Sequence, residues 1–343
     1  MVYGHLAGAG SLRELEKGFN QHGSHHYHLH TKPVRRTTLA DANSKRNPQI
    51  FADVLRQLVQ IAGRTIRSER DDILYLLDST SIPLRGRGSQ WTAQTATRTP
   101  GLKMHVLYSS GQQLPVIHTI TAANVNDVDE GRKLPIVPGA TYVFDKGYCD
   151  YGWWSRIEAA GARFVTRAKR NTALKLISSK ELAAQDAQMI LADDVVRFTH
   201  RSNRAGHRNR YESELRRIEV ARPGEDSLVL LTNDLQGPAT QIAALYKQRW
   251  GIELFFKWIK QHLSIKSFLG ESENAVRIQL LTALISYVLV ALLNAKGQAA
   301  SLWETLTEVR TGLFQRPRQE ESWWRRRRRR QQAQTALQPG LFG

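Results

Sequence analysis

The alternation of short apolar runs between residues 72 and 166 constrains this 343-residue chain more than any other feature. From Asp72 the run DILYLLDS is compact and apolar, ends in Asp78 and gives way to Ser79, Thr80 and Pro83, which reads as a buried strand. A Gly/Arg/Thr-rich loop, Arg85–Pro100, leads to two more strands, Lys103–Tyr108 and Leu114–Thr121, with Gly111-Gln112 between them as expected of a hairpin. A short helix over Asn126–Leu134 follows, then a strand, ATYVFD, that ends in Asp145. A helix (Tyr151–Ala160) and a strand (Arg163–Thr166) complete the series. Three strands, helix, strand, helix, strand is the order of a mixed α/β sheet.

The stretch Tyr246–Lys260, YKQRWGIELFFKWIK, has no Pro and predicts one long helix. At about 100° per residue, Leu245, Ile252, Phe255, Phe256 and Ile259 share an apolar face, while Tyr246, Arg249, Glu253 and Lys260 lie within about 60° of arc beside it. Taken alone, that edge reads equally well as a solvated face with an i,i+4 Arg–Glu pair. Residues 169–238 are polar and basic, with short alternating runs such as Glu214–Val220 and an apolar Leu228–Leu231, and predict β structure ahead of this helix. Helix returns from Ala239 to about Leu293 and again over Leu302–Phe314, before a tail with Trp323, Trp324 and six arginines, Arg325–Arg330. Six consecutive positive charges beside two tryptophans favour phosphate contact over a merely solvated tail.

Lys plus Arg number 49 against 31 Asp plus Glu, a net charge of +18, so the expected partner is a polyanion. No apolar run reaches the ~18 residues of a membrane span. Leu280–Leu293 comes nearest, contains Thr and Ser, and is expected to be a core helix rather than a membrane contact. The single cysteine, Cys149, excludes an internal disulfide and a cysteine-based zinc cluster. Nothing at the N-terminus reads as a signal peptide, since Gly4–Gly10 is small rather than apolar, and a cytoplasmic, nucleoid-associated protein is expected. Near the start, Ser11 is placed to cap a helix over Ser11–Lys17 with Glu14 three residues on, and a longer helix is expected over Gln49–Ile66. Between them, His22, His25, His26, His28 and His30 show a strand-like period of two with no acidic or thiol partner, which favours polar contact or packing over a metal site.

Asp78 and Asp145 each end a strand, where α/β sheets bind ligands and metals. With Glu253 on a following helix they make three carboxylates, which repel one another unless a cation lies between them. Oxygen donors without cysteine point to Mg²⁺ or Mn²⁺ rather than Zn²⁺. Asp127 and Asp129 precede a helix and Asp150 is placed to cap one, so they are weaker candidates.

Tyr246, two residues, Arg249, three residues, Glu253, six residues, Lys260 resembles the Tyr-Arg-Glu-Lys signature of the insertion-sequence-four family of DDE transposases in residue type and spacing. DSTSIPL at Asp78 and FDKGYCDY at Asp145 resemble that family's two aspartate motifs, and the likeness spans nearly the whole chain. It implies an α/β, ribonuclease-H-like mixed-sheet catalytic core at 69–168 and 239–295, interrupted by a β-rich insertion at 169–238. A helical basic DNA-binding region at 1–68 and a helical Trp/Arg-rich tail at 296–343 would flank it. The implied activity is cut-and-paste transposition: metal-dependent DNA cleavage at element ends and strand transfer into target DNA. Asp78, Asp145 and Glu253 would hold two Mg²⁺ or Mn²⁺ ions, one activating water or a 3′-hydroxyl and one stabilising the leaving oxygen. Tyr246, Arg249 and Lys260 would hold phosphates of the element's terminal repeats, with Lys146, Arg85 and Arg87 as further DNA contacts and a homodimer joining the two ends.

Two departures bear on these expectations. Relatives that cut through a hairpin flip a base onto an aromatic residue of the insertion, and no Trp lies between Arg156 and Arg249, which leaves Phe198 or Tyr211 for that role. Met1 begins almost on YGHLAGAGSLRE, so the N-terminal recognition region is expected to be shortened. The competing readings are a plain nuclease or resolvase on the same core, a shortened product that inhibits the full-length enzyme, and a general nucleic-acid-binding protein. The last leaves three positioned carboxylates unexplained.

Overall fold

The computed structural model describes residues 1–66, 73–84, 101–182, 186–199, 211–263, 265, 267–297 and 301–313. Its strands are β1 (Leu74–Pro83), β2 (Gly101–Ser109), β3 (Leu114–Ala122), β4 (Thr141–Phe144), β5 (Arg163–Arg167), β6 (Leu174–Ser179), β7 (Ile190–Phe198), β8 (Leu215–Val220) and β9 (Leu228–Thr232). All join one sheet in the order β3-β2-β1-β4-β5-β9-β8-β7-β6. The pairs β1/β4 and β4/β5 are parallel and the rest antiparallel. The described residues between 169 and 238 include β6–β9, and β9 lies antiparallel to β5, so β6–β9 extend the central sheet.

The helices are α1 (Val2–Ala7), α2 (Leu12–Gln21), α3 (Arg36–Lys45), α4 (Gln49–Thr65), α5 (Asp127–Gly131), α6 (Tyr151–Ala159), α7 (Ala239–Lys247), α8 (Trp250–His262), α9 (Glu273–Gly297) and α10 (Leu302–Gly312). The central strands are apolar on both faces because both are covered. Leu74, Leu76, Val143 and Val165 belong to a core shared with Phe255 and Phe256 of α8 and with α9. Leu77, Phe144 and Phe164 face the other way, onto Trp153, Trp154 and Ile157 of α6.

The helix α9 is the longest, and among the described residues it alone is long and apolar enough to cross a membrane. It is instead the core helix, packed against α1, α3, α4, α8, α10 and β3. It runs beyond the expected Leu280–Leu293 at both ends, and the two hydroxyls within that stretch are satisfied by the helix itself: Thr282 donates to the Ile278 carbonyl at 2.8 Å and Ser286 to the Thr282 carbonyl at 2.7 Å. The chain's first helix is fastened here too. His5 is buried, its ring nitrogens 2.6 Å from the Leu263 carbonyl oxygen and 3.0 Å from Thr282 Oγ1, and burial pushes its imidazole down to about 4.

Ser11 caps α2, accepting from the Glu14 amide at 3.1 Å, and the Glu14 carboxylate accepts from the Gly10 amide at 2.8 Å. The histidine-rich segment that follows is not strand-like, which corrects the period-two expectation. Gly23–His25 is a 3₁₀ turn, and His26 is buried, stacked on Phe19 at 4.9 Å between ring centroids. The residues meet as i,i+3 and i,i+4 neighbours, a spacing that mimics alternation in so short a segment.

Candidate active site

Strand register sets the first part of the site. Leu77 lies opposite Phe144, and Phe144 opposite Thr166. The next residues of these three parallel strands, Asp78, Asp145 and Arg167, therefore fall in one row across the sheet. Residues two places earlier, Leu76, Val143 and Val165, all belong to the core on the α8 side, so by the period of two the row faces α8 as well. Asp145 follows the last residue of its strand, as expected. Asp78 does not: β1 runs on to Pro83 paired with β2 alone, and Asp78 stands where its other neighbour, β4, stops.

The second part comes from the chain at Tyr246–Lys260, which is two helices rather than one. The Arg249 amide donates to the Tyr246 carbonyl at 3.0 Å, the Gly251 amide to Gln248 at 2.8 Å and the Ile252 amide to Arg249 at 3.2 Å. These i→i+3 bonds tighten the turn and separate α7 from α8. A Cβ on Gly251 would lie 3.3 Å from Leu76 Cδ1, so glycine lets the first turn of α8 settle closely onto β1. Ile252, Phe255, Phe256 and Ile259 are buried as expected. Glu253, next to Ile252, is thereby carried to the helix edge that overlooks Asp78.

One positive charge lies between two of these carboxylates. Arg249 Nη2 donates to Glu253 Oε1 at 2.5 Å, and Nη1 is 3.6 Å from Asp78 Oδ2. The same guanidinium lies over the Tyr246 ring at 5.8 Å. Farther along α8, Lys260 Nζ donates to Thr80 Oγ1, two residues beyond Asp78 on the same strand face. Asp78, Thr80, Glu253, Phe256, Lys257 and Lys260 line a pocket of about 350 Å³. Burial pushes the Asp78 carboxyl up to about 6; the Ser79 amide and Arg249 oppose that rise, and Glu253 and Asp145 add to it. Burial likewise raises the Tyr246 phenol, with Arg249 and Arg167 opposing and Asp145 reinforcing.

Among the described residues, no three His, Cys, Asp or Glu side chains are close enough as they stand to hold a metal ion. The donor chemistry nevertheless fits a hard divalent cation. All the donors are carboxylate oxygens, and a guanidinium acts as stand-in cation between Asp78 and Glu253.

A stability consequence follows from the buried Asp78. Its folded pKa lies above the ordinary carboxylate value, so the folded state binds the proton more tightly than the unfolded chain. Without metal, stability should then fall as pH rises from about 4 through about 6, by roughly 3 kcal/mol. Asp78→Asn is expected to melt higher than the wild type at pH 8 in EDTA, with the gap closing towards pH 4. Equal melting curves at both pH values would show that Asp78 carries no such penalty.

Lys146 lies exposed in the 3₁₀ turn directly after Asp145, at the rim of this face. Arg85 and Arg87 lie outside the described residues, as do Trp323, Trp324 and Arg325–Arg330. Asp150 caps α6, accepting from the Trp153 amide at 2.7 Å, and Asp127 accepts from Ser79 Oγ at 2.7 Å on the opposite side of β1 from Asp78. Phe198 is half-buried and Tyr211 buried. Both pack in the α6-side core, Tyr211 with 3% exposure, and so lie across the sheet from the carboxylates. Two contributors escaped the sequence reading, Thr80 and Arg167. Thr80 was detectable as the i+2 residue on the strand face of Asp78; Arg167 needed the register between β4 and β5.

A family model described as transposase DDE domain matches residues 69–289. A protein of Sinorhizobium fredii named as transposase y4zB is 46% identical over 254 residues, covering 74% of this chain and 69% of that protein. The protein of Geobacillus stearothermophilus named as the transposase for insertion sequence element IS5377 is 28% identical over 255 residues, 72% of this chain and 65% of its own length. A Synechocystis protein named for insertion sequence element IS4SA is 29% identical over 296 residues, 85% of this chain and 79% of its own.

Proposed function

This chain belongs to the transposase DDE domain family, and from that premise we propose that Asp78, Asp145 and Glu253 are the catalytic carboxylates of a cut-and-paste insertion-sequence transposase. The observation that carries the assignment is the convergence of one sheet row and one helix edge around Arg249. The order β3-β2-β1-β4-β5, with its parallel centre, supports a ribonuclease-H-like core.

Asp78, Asp145 and Glu253 hold two divalent cations in this reading, Mg²⁺ or Mn²⁺. Such ions, when bound, polarise the phosphodiester and ease deprotonation of the attacking water or 3′-hydroxyl. The protein's own groups do the remaining work. Arg249 offers a planar fork suited to bidentate phosphate contact, Lys260 a point charge about three turns farther along α8, and Tyr246 a phenol hydrogen-bond donor. These three line one edge, so a DNA strand laid along it meets the carboxylates in passing. Lys146 and Arg167 extend the positive rim across the sheet, and the net charge of +18 supports a long DNA footprint. A homodimer would hold the two element ends together.

The test is a supercoiled plasmid carrying the element's own two ends, incubated with purified protein and Mg²⁺ or EDTA. Nicks mapped to the element ends, formed with Mg²⁺ and absent in EDTA, are expected. Cleavage with no preference for the ends would favour a plain nuclease. End binding without cleavage would favour an inhibitory role.

A further inference from the structure

The guanidinium of Arg249 is only partly served where it lies, by Glu253 and the Tyr246 hydroxyl. Its side chain is only 19% exposed, yet Nε is buried without a hydrogen-bond partner among the described residues. Asp78 at 3.6 Å is an ion-pair neighbour beyond good hydrogen-bond reach, so the contact with Glu253 at 2.5 Å is the one well-made bond to the carboxylates. A buried donor left unmade favours any rearrangement that completes it. A phosphodiester, with two non-bridging oxygens that match the guanidinium fork, completes it better than two separated carboxylates do.

We infer that Arg249 is the resident cation of the DNA-free active site, competing with the divalent ion for Asp78 and Glu253, and that a DNA phosphate draws it out. The inference rests on the proposed role of these carboxylates as metal ligands. The guanidinium supplies one positive charge to a pair of acids that otherwise repel each other, so the site is held together before metal arrives. It also repels an incoming dication from the same oxygens. DNA that takes Arg249 releases both acids at once, and linkage makes the effect reciprocal: DNA tightens metal binding and metal tightens DNA binding. The break between α7 and α8 favours such movement, because Arg249 lies in the tightened turn rather than in the middle of a regular helix. The protein would therefore be armed mainly where DNA already lies along α8.

The readout is Mn²⁺ binding, followed by the electron paramagnetic resonance of free Mn²⁺ at pH 8, without turnover. Wild type, Arg249→Gln and Arg249→Lys are compared alone and with a duplex matching an already cut element end, after subtraction of Mn²⁺ bound by the duplex itself. Without DNA, Arg249→Gln should bind Mn²⁺ about tenfold more tightly than wild type, a factor within the usual range for coupled sites. Arg249→Lys, charged but shorter, should fall between. The duplex should tighten Mn²⁺ binding to wild type several-fold more than to Arg249→Gln. Equal or weaker binding by Arg249→Gln in a protein with a wild-type melting profile would overturn the inference, as would equal tightening of both by DNA. Asp78→Asn and Glu253→Gln separate the two layers. If neither weakens Mn²⁺ binding to wild type, the metal-ligand reading itself fails. If both do while Arg249→Gln changes nothing, only the competition fails.

Discussion

Asp78→Asn, Asp145→Asn and Glu253→Gln will each slow end cleavage by a factor of about 10³ or more while leaving end binding within a few-fold of wild type. Each exchange replaces a charged oxygen with a neutral amide of the same shape, so packing survives and the negative charge facing the scissile phosphate does not. Losing several kcal/mol of transition-state stabilisation corresponds to this factor at about 1.4 kcal/mol per tenfold. On the proposed reading the three share their metal ions, so they should also be non-additive, the first loss removing most of the benefit of the others. Asp127→Asn makes a useful contrast. That carboxylate is bonded to Ser79 and lies near Lys103 and His105, on the other side of β1 from Asp78, so its loss should cost stability before it costs chemistry. Gel-based cleavage and a mobility-shift assay on the same preparations decide the matter. A variant of the three that retains a tenth of wild-type cleavage would remove its residue from the catalytic set.

The sequence resolves the site's ingredients better than their arrangement. Asp145 is legible because ATYVF is a short, wholly apolar run whose end the acid marks, and Asp150 and Ser11 are legible because capping is a local interaction between near neighbours. The same rule finds Asp78 but places it at the strand's end rather than within it. The chain shows where apolar residues stop, not where the neighbouring strand stops, and β1 continues through the Ser-Thr-Ser stretch because β2 pairs with it to Pro83. Arg167 shows the limit most clearly. Nothing near it in the chain indicates that it shares a row with Asp145, since that depends on the β4/β5 register, set by the packing of Phe144 and Phe164 on Trp154. The break at Gln248-Arg249 escaped for a different reason. Both residues keep right-handed helical backbone angles, φ −65° and −51°, so only the shift from four- to three-residue hydrogen bonds marks it. The edge carrying Tyr246, Arg249, Glu253 and Lys260 survives because so slight a tightening turns it by only part of a residue step.

Removing the Arg216 side chain will destabilise the protein more than any single change at the catalytic face. Arg216 on β8 is 4% exposed and Asp193 on β7 5% exposed, and they make a two-pronged contact: Nε to Oδ1 at 2.6 Å and Nη2 to Oδ2 at 2.5 Å. The remaining nitrogen, Nη1, donates to the Gly237 carbonyl in the loop that enters α7. Asp234 Oδ1 braces that loop in turn, accepting from the Gly237 amide at 2.8 Å. One guanidinium thus ties two strands beyond β5 to the segment from which α7 springs, and α7 carries Tyr246. Arg216→Met keeps much of the volume but leaves Asp193 charged and buried without its partner, at a cost of about 3–5 kcal/mol. The double variant Arg216→Met/Asp193→Leu removes both charges and should recover much of that loss, because the expensive state is the unpaired charge rather than the absent bond. Urea unfolding of the wild type, both single variants and the double variant measures this directly. If Arg216→Met costs less than about 1 kcal/mol, in the range of an exposed pair, the pair is not the brace described. If the double variant restores stability but end cleavage stays low, the contact to the loop before α7 matters for holding Tyr246 in place, and the outer strands are part of the catalytic scaffold.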